Sequence, residues 1–507
     1  MDNRSGRIRT TSGLMFRGEK NCLVRNAMRW KLSFDYDIDR KRMQKALDAA
    51  LQICPYMGMG MTRDDAGMWY VPNPSPVLLS DEMPERLGGE ETGGHLFCLV
   101  CGRRNLEVAV HHSLTDAAGI QWFWEALLTA YYDENNEASG SAKEAVIRDQ
   151  AIDILDMDLR VPEGYVPEAV MPEHPFAFEQ AGNADISDHT MAVFSRKELR
   201  AFCEAHNCSV TAALVAWIAA AIQRVHAGNT APICIRCPVN SRNIFDVDTF
   251  MNASIPQVLV CVGAAKAAAD RPDEMIRDIA AQIERQTDSD RAACFAKAVG
   301  ARLRQESLPN EDGIMDVFHA PVVFSNLGSH KPERAAAHIT GSEFYLSNAS
   351  PMFISLATAG NSSYLTVNQA FEGTQYLDAM EQVMGENGVG LCQIGRLAEI
   401  PRFMDRMARI VRRYKDRTAV VDHQRSMTYA QLDEESGKIY RYLKRNGVGR
   451  ESMVQIVMPR CAGYYSCIGG VLRAGAAFVP LEENYPEQRV AFIREDSGCV
   501  CVLDEKL

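Results

Sequence analysis

The sequence lacks any apolar run long enough to cross a bilayer. Its longest, Val210 to Ile222, contains Thr211 and falls short of the ~20 residues a spanning helix needs, so it reads as a buried helix and no membrane association is expected. A cationic surplus is missing too: 54 Lys and Arg stand against 66 Asp and Glu, which argues against a broad face for nucleic acid. No secretory signal is seen, and the 15 cysteines are scattered along 507 residues. That is the pattern of reduced thiols in the cytoplasm rather than of a disulfide framework. Two Cys-x-x-Cys pairs, Cys98 with Cys101 and Cys234 with Cys237, fall inside apparent strands. Residues three apart on a strand point to opposite faces, whereas a zinc knuckle needs a turn, so both pairs read as buried thiols and no metal is expected.

What is present is ordinary for a globular protein: 47% hydrophobic and 24% charged residues. At ~150 residues per domain the length predicts about three units. Strands are expected near 27–34, 58–62, 67–71 and 96–101, with a helix over 39–53. Residues 158–188 carry Pro162, Pro167, Pro172 and Pro175 and read as an extended connector. A second series follows, with a strand at 190–194, a helix at 196–205, a helix capped by Ser209, and strands at 257–262, 321–325, 341–346, 352–357 and 364–369. Two amphipathic helices are predicted at about 272–287 and 291–305. The cluster Arg402, Arg406, Arg409, Arg412, Arg413 and Lys415 is spaced for one solvated helix face.

The most informative segment is Asn105–Leu106–Glu107–Val108–Ala109–Val110–His111–His112–Ser113–Leu114–Thr115–Asp116–Ala117. Leu106, Val108 and Val110 alternate in strand period, so a strand runs into two histidines that face opposite ways. Ser113 to Asp116 then form a turn with helix-starting residues ahead of the helix-spaced Ile120, Trp122, Phe123, Leu127 and Leu128. An imidazole titrates near neutrality and can take a proton from an attacking amine or hydroxyl.

This string resembles His-His-x-x-x-Asp-Gly, the motif of nonribosomal peptide synthetase condensation domains and the related CoA-dependent acyltransferases, with Ala117 where the family usually has glycine. Ile233 to Arg242, ending Pro-Val-Asn-x-Arg, is similar to the family's arginine strand. Phe250–Met251–Asn252–Ala253 and Val322 to Gly328 resemble its asparagine-bearing tunnel stretches. The resemblance implies a mixed α/β (α+β) fold of two chloramphenicol-acetyltransferase-like lobes in a V-shaped pseudo-dimer, the lobes at 1–160 and 189–386 around a connector at 161–188. It implies His112 as the catalytic base, His111, Asp116, Ala117 and Arg242 as support, an ion pair between Asp116 and Arg242, and Asn252, Ser325 and Asn326 along a tunnel. The implied reaction is acyl transfer to the amine of a carrier-bound aminoacyl thioester, initiating N-acylation. The donor is an acyl-CoA or an acyl carrier protein, and the acceptor is held by a peptidyl carrier protein. Ester formation from acyl-CoA and an alcohol, condensation of a peptidyl donor docked near residues 1–15, and an inactive scaffold for carrier docking stay open as alternatives.

After a linker at 387–400, residues 401–507 change character. Thr418 to Asp422, Met427 to Leu432 and Leu472 to Leu481 resemble the opening motifs of peptide-synthetase adenylation domains, a partial α/β subdomain. The family's phosphate loop, ribose-binding acid and lysine come further downstream. The expectation is therefore that this fragment alone neither binds ATP and magnesium productively nor activates an amino acid, and that the only cofactor chemistry involved is the phosphopantetheine arm of its substrates.

Overall fold

A computed structural model describes residues 7–11, 22–23, 27–64, 67–133, 153–162, 171–178, 188–247, 249–251, 257–268, 272–304, 320–346, 350–371, 373–396, 407, 410–411, 414–423, 425–449, 452–481 and 485–504. The chain divides into two compact units, Met1–Ala398 and Glu399–Leu507.

The first unit contains β1 (Met28–Phe34), α1 (Arg40–Ile53), β2 (Phe97–Cys101), β3 (Asn105–Val110), α2 (Ala117–Tyr132), β4 (Asp188–Ser195), α3 (Val210–Val225), β5 (Ile233–Pro238), β6 (Gln257–Val262), α4 (Pro272–Thr287), β7 (Val322–Ser329), β8 (Ile339–Tyr345), β9 (Met352–Ala359), β10 (Ser362–Gln369), α5 (Gln375–Glu386) and β11 (Leu391–Arg396). They build a four-stranded sheet in the order β8-β1-β3-β2 and a seven-stranded sheet in the order β6-β5-β7-β9-β10-β4-β11. Local chemistry explains the elements. Asp39 starts α1 by accepting the Lys41 and Arg42 N–H groups. Alternate residues of β1, namely Met28, Trp30, Leu32 and Phe34, are buried while those between are half-exposed. β9, near the middle of its sheet, is buried along its whole length, as a strand covered on both faces must be.

Two expectations change. The strand near 341–346 was grouped with the second lobe, yet β8 pairs antiparallel with β1, Phe344 opposite Trp30 and Ser342 opposite Leu32. Trp30 Nε1 donates to Ser342 Oγ at 2.9 Å and Phe344 meets the indole edge-on at 5.4 Å, so the two predicted lobes share a sheet. The stretch 387–400, read as linker, contains β11, which closes the larger sheet against β4. Gly388, at φ 76°, turns the chain out of α5. Of the predicted connector, Phe176 and Phe178 are buried in the core of the larger sheet, because two aromatic side chains bury more than an extended exposed segment offers.

The two Cys-x-x-Cys pairs lie within strands, and their members pack into different apolar clusters, Cys234 apart from Cys237 and Cys98 apart from Cys101. Among the described residues no group of three His, Cys, Asp or Glu side chains is placed to hold a metal ion. No single described helix is long and apolar enough to span a membrane.

The second unit contains a hairpin, Thr418–Val421 against Ser426–Thr428, followed by α6 (Tyr429–Arg445), β12 (Met453–Val457), α7 (Ala462–Arg473), β13 (Ala477–Leu481), α8 (Glu487–Ser497) and β14 (Cys501–Asp504). A reciprocal capping box of Thr428 and Gln431 starts α6. The strands form a parallel sheet, β13-β12-β14. α6 and α7 approach through glycine: a Cβ on Gly470 would lie 2.5 Å from Ile439 Cγ2 and 3.1 Å from the Ser436 carbonyl oxygen. The Ile439 side chain is stiff at χ1 and the second neighbour is backbone, so neither yields easily. Gly470→Val is expected to destabilise this unit by about 1–3 kcal/mol through overpacking. Hydrogen exchange should show the loss in β12 and α7. All five tryptophans lie in the first unit, so tryptophan fluorescence should report an unchanged unfolding midpoint.

Candidate functional site

β3 delivers the chain to His111, and α2 begins six residues later at Ala117. Asp116 is the N-cap of α2 and accepts the Gly119 N–H at 3.1 Å. The same carboxylate takes Arg242 in fork geometry, Nη1 to Oδ2 at 2.8 Å and Nη2 to Oδ1 at 3.1 Å. Both side chains are buried, 3% and 5% exposed. Arg242 follows β5 at the start of a short helix and is held on every side: Nε donates to Thr249 O at 2.6 Å, Nη2 to Met251 O at 2.8 Å, Nη1 to Asn240 Oδ1 at 3.1 Å, and the guanidinium lies 4.9 Å from the Trp122 ring centroid. A planar donor fork satisfied this fully makes a rigid joint between the two sheets' connecting loops.

Around this joint the turn is tightly specified. Thr115 Oγ1 donates to Phe250 O at 2.6 Å, which fixes the hydroxyl where a Cβ on Gly119 would come within 1.9 Å of it. Tyr56 donates to Gly119 O at 2.8 Å and stacks on Phe250 at 4.7 Å. Tyr70 donates to the Ser113 carbonyl. Tyr56, Tyr70, Thr115, Gly119 and Thr249 are not singled out by the sequence, and Trp122 only as a helix-spaced apolar residue. Only Gly119, a glycine in the first turn of a predicted helix, carried a readable sign.

His111 is buried and its Nδ1 pairs with Ser113, 2.6 Å from Oγ and 3.1 Å from the N–H. Burial first, and then the neighbouring His112, push its imidazole down to about 4. His112 is partly exposed. Desolvation also lowers its affinity for a proton, opposed by backbone hydrogen bonds at His112 and Thr115 and by the Asp116 charge. Ala117, half-buried, is the first residue of α2. Ser325 is half-buried on β7, and the exposed Asn326 bonds Thr211 Oγ1 at 3.4 Å and the Gly328 N–H at 3.2 Å. Asn252 and all five arginines of the cluster at 402–413 lie outside the described residues. The structure thus brings Asp116 and Arg242 together, with His112 beside them. Asp116 accepts Arg242 through both oxygens.

In the second unit, strand order reverses at β12: β13 lies on one side and β14 on the other. The loop after β12 runs through Pro459, Arg460 and Cys461 into α7, whose first N–H, of Ala462, is taken by Asp422 Oδ2 at 2.7 Å. In open parallel α/β sheets the crevice at such a reversal, beyond the strands' C-terminal ends, is where ligands bind.

Comparison with known proteins finds similarity in this unit. Residues 407–507 match the family model of the AMP-binding enzyme. Zwittermicin A synthase ZmaJ of Bacillus cereus is 38% identical over 94 residues, 18% of this chain and 18% of that protein. Surfactin synthase subunit 1 of Bacillus subtilis is 35% identical over 106 residues, 21% of this chain and 3% of that one. The chain therefore spans under a fifth of the length of these relatives. Among solved structures, an AMPPNP-bound form of the nonribosomal peptide synthetase FmoA3 aligns over 99% of this chain and 58% of that one, with 18% identity and a TM-score of 0.50. The polyketide synthase associated protein 5 of Mycobacterium tuberculosis aligns over 75% of this chain and 97% of its own, with 17% identity and a TM-score of 0.51. At such identities the two structures speak for the mixed α/β fold alone.

These findings correct the expected reaction. The amide-forming condensation activity assigned to His112, together with its ester-forming and scaffold alternatives, gives way to an AMP-binding assignment, carried by the family model at 407–507. The physical reason is that a short His-His-x-x-x-Asp string encodes a strand-to-helix turn. Its aspartate is required as helix cap and arginine counter-ion whatever chemistry the protein performs. The chain is related to nonribosomal peptide synthetases and carries an AMP-binding segment at its C-terminal end.

Proposed function

We propose that this chain works as part of an adenylate-forming enzyme of peptide-synthetase type. In that reaction a carboxylic acid attacks the α-phosphate of ATP, pyrophosphate leaves, and the acyl group passes from the adenylate to the phosphopantetheine thiol of a carrier protein. The observation that carries the reading is the coincidence of the AMP-binding match at 407–507 with the separate unit at Glu399–Leu507. Its doubly wound strand order supports it. The residues present fit a scaffolding role. The N-terminus of α7, a position where a helix can cradle phosphate, is occupied by the Asp422 carboxylate. Phe492 and Val500 are each 66% exposed, and α8 buries none of its residues, a surface suited to packing against the rest of an AMP-binding fold.

The test replaces the matching segment of ZmaJ by residues 407–507 and measures acid-dependent exchange of labelled pyrophosphate into ATP across a panel of amino, hydroxy and aryl acids. Exchange by the folded chimera supports the reading. A folded chimera silent with every acid, beside an active parent, overturns it.

A further inference from the structure

The edge of the larger sheet carries two cysteines placed directly opposite each other. In the antiparallel pair β5–β6, Cys234 faces Cys261. β6 is the edge strand, and the outward backbone groups of Cys261 are taken by α4: its N–H donates to Gln282 Oε1 at 3.0 Å and its carbonyl accepts from Gln282 Nε2 at 3.1 Å. Gln286 does the same for Leu259, at 3.0 and 2.7 Å. Since Cys261 turns both groups away from β5, Cys234 and Cys261 form a non-hydrogen-bonded pair. In such a pair the Cα atoms stand ~4.5 Å apart and the side chains lean together. That spacing is inside the window a disulfide requires.

We propose that Cys234 and Cys261 are a dithiol modification site, oxidised to a cross-strand disulfide by a small-molecule disulfide such as oxidised glutathione. The chemistry balances without another reactant. The Cys261 thiolate attacks one sulfur of the oxidant and expels one thiol. Cys234 then gives up its proton and attacks the Cys261 sulfur, expelling the second thiol. The protein loses two hydrogens and the oxidant gains them.

The order of attack follows from the surroundings. Cys261 is partly exposed whereas Cys234 is fully buried. A hydrogen bond from Cys234 holds the Cys261 thiol below the ordinary value, against burial and with help from Arg236, while the same bond and burial hold Cys234 up. Arg236 lies two residues along β5 from Cys234 and is itself buried. The bond would also close the base of the excursion between β5 and β6 that carries Arg242 and Phe250, so oxidation braces the frame of the buried ion pair. This site is independent of the adenylate-forming assignment.

The experiment incubates the full chain in glutathione buffers from fully reduced to fully oxidised, with circular dichroism to verify that the fold persists. Alkylation, proteolysis and mass mapping follow. The expected result is a linked peptide pair containing Cys234 and Cys261, two hydrogens lighter than the separate peptides, with Cys98 and Cys101 still alkylatable after denaturation. Cys234→Ala should convert the product to a glutathione adduct on Cys261, and Cys261→Ser should leave Cys234 unmodified. Wild-type protein that holds both thiols reduced in excess oxidised glutathione, or that stops at the Cys261 adduct, overturns the proposal. Because the wild type alone decides this, poor folding of either variant does not obscure the outcome.

Discussion

Replacing Arg242 with alanine is expected to destabilise the first unit by about 3–5 kcal/mol, the cost of breaking a buried ion pair from one side. The substitution leaves Asp116 charged in a site 5% exposed and orphans the carbonyls of Thr249 and Met251 that the guanidinium now satisfies. Asp116→Asn should cost less, since an amide can still cap α2. Arg242→Met combined with Asp116→Leu should recover part of the loss, because two apolar groups strand no charge. Urea unfolding followed by tryptophan fluorescence reads the first unit selectively. A shift of the midpoint by less than about 1 kcal/mol equivalent in Arg242→Ala would mean that the pair holds nothing together.

The second large effect is acid sensitivity. Burial lowers His111 to about 4, His189 to about 3 and His330 to about 3, against ~6.5 in an unfolded chain. His112 contributes to the shift at His111, and a hydrogen bond from the His189 ring to the Asn368 side chain opposes the shift at His189. Below pH ~6.5 the unfolded state binds protons that the folded state refuses, so stability is complete above that value and falls as pH drops toward 4. Three such groups give a slope approaching ~4 kcal/mol per pH unit. With total stabilities of ~5–15 kcal/mol, the first unit should unfold cooperatively in that window, ahead of the range where paired carboxylates protonate. His330 lies 5.0 Å from the Trp30 ring centroid and bonds Ser342 Oγ through Nε2 at 2.9 Å. His330→Phe removes one titrating group and should flatten the slope by about 1.4 kcal/mol per pH unit. Identical slopes for variant and wild type would show that these imidazoles already titrate in the native state.

Much of the secondary structure is legible from local pattern because its cause is local. The helix at 196–205 and the strand at 257–262 are found at the predicted residues, and α4 spans 272–287 as its apolar spacing suggests. Caps at Asp39, Ser209 and Thr428 mark helix starts, and the change of character near residue 401 coincides with the boundary between units. Strand partnership is another matter. Nothing in the alternation of Ile339–Tyr345 says that it prefers β1 to the strands that follow it in sequence, since that choice rests on the distant Trp30, whose indole donates to Ser342. β11 was hidden by the glycines ahead of it, which end a helix rather than begin a linker.

The site divides the same way. The family resemblance singles out Asp116 and Arg242 and implies their pairing, and the structure places them in a bidentate pair. The residues that hold them, Thr115, Thr249 and Tyr56, act through backbone carbonyls and hydroxyls that no spacing announces. The reaction is not legible there, because a turn-forming histidine motif looks alike whether its imidazole touches substrate or borders a structural ion pair. The opening motifs at 418–481, by contrast, point to the segment that the AMP-binding model matches.

The most direct test of the central claim is pyrophosphate exchange by ZmaJ carrying residues 407–507 in place of its own matching segment. An active AMP-binding segment predicts label in ATP that depends on a particular acid and is lost when Gly470→Val disrupts the α6–α7 contact. A folded, monodisperse chimera that exchanges no label with any acid contradicts the claim.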